Sequence, residues 1–407
     1  MGVEGSGLTA GGGRERFLAG DPIRGVAAVL VVVYHTAFLA QPPQGESLAD
    51  LGLVYGAAAG DALRALDLTV FVFLVLSGYL IGRPFVHSFV AGRPMPPVGA
   101  YVRNRVLRIV PTFWVVFGVV VLLHGLSNYP AGDVLSVFAF AQNYHPSEVA
   151  VLIGPGWTVD VEVTFYLALP LVALVLIGLG RTRGTPGARR AVLLGLLAMV
   201  YLASLMAKDF DPPGGTLTLI TVGFGFMPGI ALAALETTPW ARTLALRAAR
   251  NWSLGLVAVA VVVLVPYAIS GDPGHYPPRP ETAARVMASV FACAVVAAPL
   301  VLQWGGGGCP SAVDNRVTRW LGARSYPIYL VHQGILLEFV GWSVLSERAW
   351  PHLALVLAIA MPLVLAAGAL LHVAVERPAL RRRRDWRAAH ELRGRLGRGR
   401  AAPRIGD

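Results

Sequence analysis

A histidine deep in an apolar run, with arginines on its approach, is the part of this sequence best equipped for chemistry. His35 lies in PIRGVAAVLVVVYHTAFLA, about a dozen residues from its start, or roughly 18–20 Å along a helix. Neither headgroups nor bulk water reach such a position without a cavity, and a neutral imidazole there can take a proton from a hydroxyl. A histidine that bridges two helices by a hydrogen bond is the plain alternative. Arg24 precedes His35 by eleven residues, close to three full turns, so both project from one face. An axial gap of roughly 16 Å keeps them from touching. Arg24 is then either the cytoplasmic mouth of a channel that ends at His35 or a topological anchor.

Three further stretches carry polar groups at the membrane boundary or inside it. In YVRNRVLRIVPTFW, read as a loop before a span, Arg105 and Arg108 share a face if the stretch is helical, with Arg103 nearly a turn away. Guanidinium groups so clustered suit phosphates, and they equally satisfy topology. In GPGWTVDVEVTFYLALP, Trp157 and Tyr166 suit an interfacial belt. Asp160 and Glu162 are harder to place, since Glu162 enters the apolar run and needs a partner or a proton. In LGARSYPIYLVHQ, Tyr326, Tyr329 and His332 recur at three-residue steps along one side, with His332 expected in the cytoplasmic half, shallower than His35. A polar packing stripe is the other reading. Glu338 completes the intramembrane set, with Asp67, His124 and His372 near span ends.

The elements that must position these groups are membrane helices. Of 407 residues 55% are hydrophobic and 14% charged, against roughly 45–50% and ~25% in soluble domains. The apolar residues fall in blocks of the length that crosses a bilayer. Ten spans are expected: Pro22–Ala40, Leu66–Ile81, Ile109–Leu126, Val161–Gly180, Ala191–Ala207, Leu217–Leu235, Ser253–Ser270, Ala283–Gln303, Tyr326–Val344 and His352–Ala374. Basic residues alternate by loop, with Arg14 and Arg16, Arg83 to Arg108, Arg181 to Arg190, Arg242 to Arg250, Arg316 to Arg324 and the tail on one side. The other side holds only Arg64, Lys208, Arg279, Arg285 and Arg348. By the positive-inside rule both termini are cytoplasmic, and the net charge of +11 reports topology rather than nucleic-acid binding.

The expected fold class is therefore all-α, a polytopic transmembrane bundle: a cytoplasmic leader 1–21, a membrane domain 22–376 and a basic cytoplasmic tail 377–407. The leader lacks a small-residue cleavage site and is expected to stay attached. Cys293 and Cys309 lie on or near the reducing side, so no disulfide is expected. No metal-ligand spacing, phosphate loop or internal repeat is present, and Gly305–Gly308 reads as a link.

These stretches, in order, resemble the acyltransferase-3 family of membrane O-acyltransferases, from Asp21 to Pro378. DPIRGVAAVLVVVYH is similar to its opening arginine–histidine signature. FVFLVLSGYLIGRP, with Ser77, Gly78 and Tyr79, is similar to its second-span signature, and RNRVLRIVP to its basic motif. WTVDVEVTFYLALP matches its tryptophan–glutamate motif, LGARSYPIYLVHQ with Ser325 its late tyrosine–histidine motif, and VERP with Glu376 its closing motif. Val163 stands where a second acidic residue is common, and Pro22 where glycine is. Some members carry an additional soluble hydrolase-like domain; none is expected here.

The resemblance implies a bacterial plasma-membrane enzyme with no bound cofactor and no metal. Acyl-CoA, as co-substrate, would place its phosphates near Arg103, Arg105, Arg108 and Arg24 and extend its thioester to His35, the general base. The acceptor would be a hydroxyl of a sugar, an envelope glycan or a glycosylated metabolite such as a macrolide, positioned by Glu162. A transporter or carrier of an acylated or lipid-linked substrate is the alternative, although repeated halves, frequent in transporters, are missing.

Overall fold

The computed structural model describes residues 17–39, 51–144, 153–178, 184–206, 218–238, 281–304, 313–338 and 349–382, together with 240, 241, 243 and 311. The expected span Ser253–Ser270, the Gly305–Gly308 link, Cys309, residues 339–344 of the ninth expected span, the leader before residue 17 and the tail beyond 382 lie outside the described residues.

Among the described residues the chain is helical and has no strand. In chain order the helices are α1 (Gly20–Leu39), α2 (Leu51–Tyr55), α3 (Ala57–Ala65), α4 (Thr69–Ala91), α5 (Val98–His124), α6 (Ala131–Phe138), α7 (Gly156–Gly178) and α8 (Pro186–Met206). There follow α9 (Leu219–Val222), α10 (Met227–Glu236), α11 (Glu281–Trp304), α12 (Arg316–Leu337) and α13 (Ala349–Leu371), the last continuing into a π turn at His372–Glu376. Six are long and apolar enough to cross a membrane, or seven if the pair α9 and α10, bent by 43° through the Gly223–Gly225 turn, counts as one span. Large apolar side chains face outward, Leu122, Leu123, Leu171, Met199 and Leu370 each more than half exposed. Such a surface is stable in hydrocarbon and not in water.

Three boundaries differ from expectation, each for a local reason. The second expected span runs on to Ala91, past Arg83, because Glu236 of α10 meets that guanidinium with Nε–Oε2 at 2.7 Å and Nη2–Oε1 at 2.5 Å. A neutralised arginine does not end an apolar helix. Gly92 does end it, at φ 65°, in the left-handed conformation typical of a helix C-terminus. The basic stretch 103–108 is no loop but the second and third turns of α5. Likewise α12 begins ten residues earlier than read, where the Asn315 side chain accepts from the Val317 and Thr318 backbone N–H groups at 2.9 and 3.0 Å.

Beyond its exposed first turns, helix α12 is buried: α1, α5 and α13 pack around it, and Ser325 and the run Pro327–His332 are buried. Its closest approach is to α1. A Cβ on Gly25 would strike the Gly322 amide, and a Cβ on Gly322 would strike the Asp21 carbonyl. Two glycines thus let these backbones touch. Gly78 does the same for α4 against α10, where a Cβ would meet the Phe226 carbonyl oxygen.

Candidate active site

Ten residues beyond the glycine contact on each helix stand His35 and His332. Equal offsets from one contact mean that α1 and α12 run parallel, and the two imidazoles meet with His332 Nε2 3.2 Å from His35 Nδ1. The expectation that His332 is the shallower residue is corrected here: α12 starts at Arg316, so His332 lies as deep as His35. His332 is fully buried and His35 partly so. His35 Nδ1 is also 3.1 Å from the Val31 carbonyl oxygen, one turn back, and His332 Nδ1 is 2.6 Å from the Tyr329 carbonyl oxygen. The Tyr34 ring sits edge-on to His35 at 5.0 Å between centroids, and the Asp67 carboxylate acts on His35 electrostatically.

A cavity of about 590 Å³ lies at the junction of α1, α4, α5, α7 and α12 and is distinct from the pair, since neither histidine lines it. Tyr329 belongs to both, since it lines the cavity and its ring centroid is 5.7 Å from that of His332. Arg24, Arg108 and Glu162 contribute the charge, with Tyr166, Ser325 and Tyr326 around them. Arg24 interacts electrostatically with both Arg108 and Glu162. The Ser77 hydroxyl donates to Glu162 Oε1, so the second-span signature holds the glutamate. The Tyr326 hydroxyl donates to the Ile109 carbonyl oxygen at 3.0 Å, and the Tyr329 and Thr158 hydroxyls are hydrogen-bonded at 3.0 Å. These bonds fasten α12 to α5 and α7 around the cavity.

The remaining expected residues divide. Arg105 does not line the cavity; its guanidinium lies over the Tyr166 ring at 5.6 Å, a cation–π contact. Arg103 does not line it either. Tyr166 is therefore a buried cavity wall and not part of an interfacial belt. Glu162, six residues into α7, faces the arginines rather than the outer surface. Asp160 is completely buried and accepts the Asn143 backbone N–H at 3.2 Å, while the Trp157 carbonyl accepts from Asn143 Nδ2 at 2.8 Å. Both pin the turn that precedes α7. The Tyr79 hydroxyl points away from the histidines and donates to Glu236 at 3.2 Å. Glu376 is buried in the π turn against His372 Nδ1 at 2.8 Å. Asp21 sets its backbone carbonyl at the Gly322 contact and interacts electrostatically with Arg24.

Sequence reasoning passed over Thr158 and the Arg83–Glu236 pair; a carboxylate closing an otherwise apolar helix was the available signal for the latter. A larger cavity, about 870 Å³, lies between α4, α7, α8 and α10. Its walls, among them Phe85, Phe165, Leu196 and Met227, are apolar throughout. It offers no group for acid–base work or charge binding.

Long apolar helices enclosing an imidazole pair and an arginine–carboxylate cavity define an integral membrane protein with a polar interior site. The chain belongs to the acyltransferase-3 family, whose model, described as an acyltransferase domain, matches residues 21–372. It is similar to the peptidoglycan O-acetyltransferase OatA of Listeria monocytogenes, with 23% identity over 337 residues, covering 78% of this chain and 49% of that protein. The chain thus spans about half the length of that relative. It is also similar to the acyltransferase MdmB of Streptomyces mycarofaciens, with 25% identity over 352 residues, covering 77% of this chain and 81% of that protein. No solved structure matches.

Proposed function

We propose that the protein transfers a short acyl group, such as acetyl, from acyl-CoA to a hydroxyl of a sugar, an envelope glycan or a glycosylated metabolite, with His35 as general base. The observation that carries this reading is the His35–His332 pair linked, through the Tyr329 ring against His332, to a cavity walled by Arg24 and Arg108. The phosphates of the donor bind those guanidinium groups, which recognise phosphate bidentately. The thioester reaches past Tyr329 to the imidazole. His35 takes the hydroxyl proton as the oxygen attacks the thioester carbon. The tetrahedral oxyanion then collapses, the C–S bond breaks, and the imidazolium returns the proton to the thiolate, giving ester and free CoA.

Glu162, which the sequence suggested for the acceptor, is assigned instead to the donor side. Held by Ser77, it offsets the mutual repulsion of Arg24 and Arg108 and sets their orientation. Arg105 acts through Tyr166, and Arg103 lies further out along α5. The charge asymmetry of the loops, with ten spans and both termini cytoplasmic in a bacterial plasma membrane, brings the donor in from the cytoplasm.

The test uses full-length protein in lipid nanodiscs with radiolabelled acetyl-CoA and, in turn, a peptidoglycan fragment, a macrolide glycoside and a methyl glycoside. Label transferred to an acceptor by the wild type, and lost in a folded His35→Ala variant, is the expected result. Undiminished transfer by His35→Ala overturns the assignment of the base. Uptake of substrate into proteoliposomes with no acylated product overturns the acyl-transfer reading itself.

A further inference from the structure

We infer that His332 is the positioning residue of this reaction: it holds His35 as the Nδ1–H tautomer, leaves Nε2 as the proton-accepting atom, and stabilises the charge that His35 acquires. The inference rests on the acyl-transfer reading given above.

The proton positions follow from the partners. A backbone carbonyl only accepts, so His332 Nδ1, 2.6 Å from the Tyr329 oxygen, carries a hydrogen. By the same rule His35 Nδ1, 3.1 Å from the Val31 oxygen, carries one. The atom that His332 presents to His35 is Nε2, at 3.2 Å. Were it protonated as well, two N–H groups would point at each other across that gap. One assignment satisfies all three contacts. His332 is a neutral ring with its lone pair on Nε2, and the His35 Nδ1–H is shared between that lone pair and the Val31 carbonyl. His35 Nε2 then bears the free lone pair, and it is the nitrogen able to deprotonate a hydroxyl.

The arrangement repeats the logic of a nucleophile–histidine–carboxylate triad, in which the third member fixes the tautomer and stabilises the imidazolium without taking its proton. Here a neutral ring does that work. Once Nε2 accepts the hydroxyl proton, the Nδ1–H···Nε2 bond to His332 becomes charge-assisted and about twice as strong as between neutral groups. The bond therefore strengthens only as the transition state forms, which is where an interaction accelerates chemistry. A carboxylate in direct contact would be costly to bury at this depth. Asp67 supplies negative charge from further away. His332 neither gains nor loses a proton in the cycle: the proton passes from the acceptor hydroxyl to His35 Nε2 and on to the CoA thiolate.

The experiment compares His332→Phe, which keeps a ring but has no acceptor, with His332→Gln, whose carbonyl can receive the His35 Nδ1–H. Wild type and His35→Ala run in parallel in nanodiscs, with acetyl-CoA and whichever acceptor the wild type labels. For His332→Phe, kcat is expected to fall roughly 10- to 100-fold while KM for acetyl-CoA stays within about twofold. His332→Gln should recover most of the loss. An undiminished kcat in His332→Phe, or a Gln variant no faster than Phe, overturns the inference while leaving the acyl-transfer reading intact. A second measurement does not depend on the acceptor: nitrogen-15 NMR of histidine-labelled wild type should show His35 protonated on Nδ1 and bare on Nε2. The opposite tautomer overturns the inference whatever the turnover.

Discussion

Replacing Gly322 by alanine tests whether the close approach of α1 and α12 is what makes the histidine pair. A Cβ at position 322 would run into the carbonyl of Asp21 and lie 3.0 Å from the Asp21 Cα. Both obstacles are backbone, so no side chain can swing aside and the helices must part. With the Asp21 carbonyl carbon at 2.4 Å, restoring ordinary contact, at ~3.5–4 Å between carbons, requires a shift of at least ~1 Å. Because the two helices are parallel and the histidines lie ten residues further along each, the same displacement takes the His35–His332 bond from 3.2 Å to ~4 Å, beyond hydrogen-bonding distance. Two losses follow. Overpacking should lower stability by ~1–3 kcal/mol. Loss of a hydrogen bond to the charged His35 should raise the barrier by ~1.5–3 kcal/mol, or roughly 10- to 150-fold in kcat. Gly118→Ala in α5, where a Cβ meets nothing within 4 Å, is the matched control and should be neutral or stabilising by up to ~1 kcal/mol. Initial acyl-transfer rates and thermal unfolding in the same nanodiscs measure both effects. A Gly322→Ala variant with wild-type kcat would refute the argument, as would an equal loss in Gly118→Ala.

The two arginines near Tyr166 should behave differently, since only Arg108 lines the cavity: Arg108→Ala should raise KM for acetyl-CoA about tenfold or more, through a lost phosphate contact. Arg105→Ala should stay within about threefold, since it loses only a cation–π contact to Tyr166; donor titrations separate them. Glu162→Gln keeps an acceptor for Ser77 but removes the counter-charge between Arg24 and Arg108. With misoriented arginines, kcat should drop about tenfold, and a rise in donor KM without a change in kcat would count against that role. Arg83→Ala leaves the Glu236 carboxylate buried without its bidentate partner. Thermal unfolding should reveal a loss of ~3–5 kcal/mol, with KM for the donor unmoved because the pair is remote from the cavity.

The sequence made the spans readable because each apolar block answers one physical demand, the satisfaction of backbone groups in hydrocarbon. Each expected span within the described residues has a helix at its place, and six of the described helices, or seven with α9 and α10 as one, are long and apolar enough to cross a membrane. The errors share a cause. From sequence, Arg83, the arginines of α5 and Arg316 to Arg324 mark cytoplasmic segments between spans, since a charge in lipid is costly. Yet Arg83 is sheltered by Glu236 and Arg105 by Tyr166, and the inner turns of α12 by the helices packed around them, while Arg319 at its exposed start pairs with Asp314. Such shelter is set by tertiary contacts between residues far apart in the chain, 153 positions in the case of Arg83 and Glu236. Hydropathy along one helix carries no trace of it. The same limit hid the partner of His35: its offset from Arg24 excluded that residue, but the register of α1 against α12 is fixed by Gly25 and Gly322, whose contact a single sequence does not display.

That register gives the opening signature a meaning beyond its residue types. Arg24 adjoins Gly25, so the glycine that seats α1 on α12 also fixes where the guanidinium enters the cavity, while the ten-residue offset on both helices brings the imidazoles together. On the proposed mechanism, the spacing between arginine and histidine, an axial rise of roughly 16 Å, is the distance between the anion-binding site and the base. A donor that uses both must be long, with its negative charge at one end and its reactive carbonyl at the other. Acyl-CoA has that shape, with phosphates separated from the thioester by a flexible arm, whereas a compact acyl phosphate would leave either the arginines or the histidine unused. Shortening or lengthening the arm of a synthetic acyl thioester should therefore lower kcat more than it weakens binding, because the phosphates stay seated while the thioester misses His35.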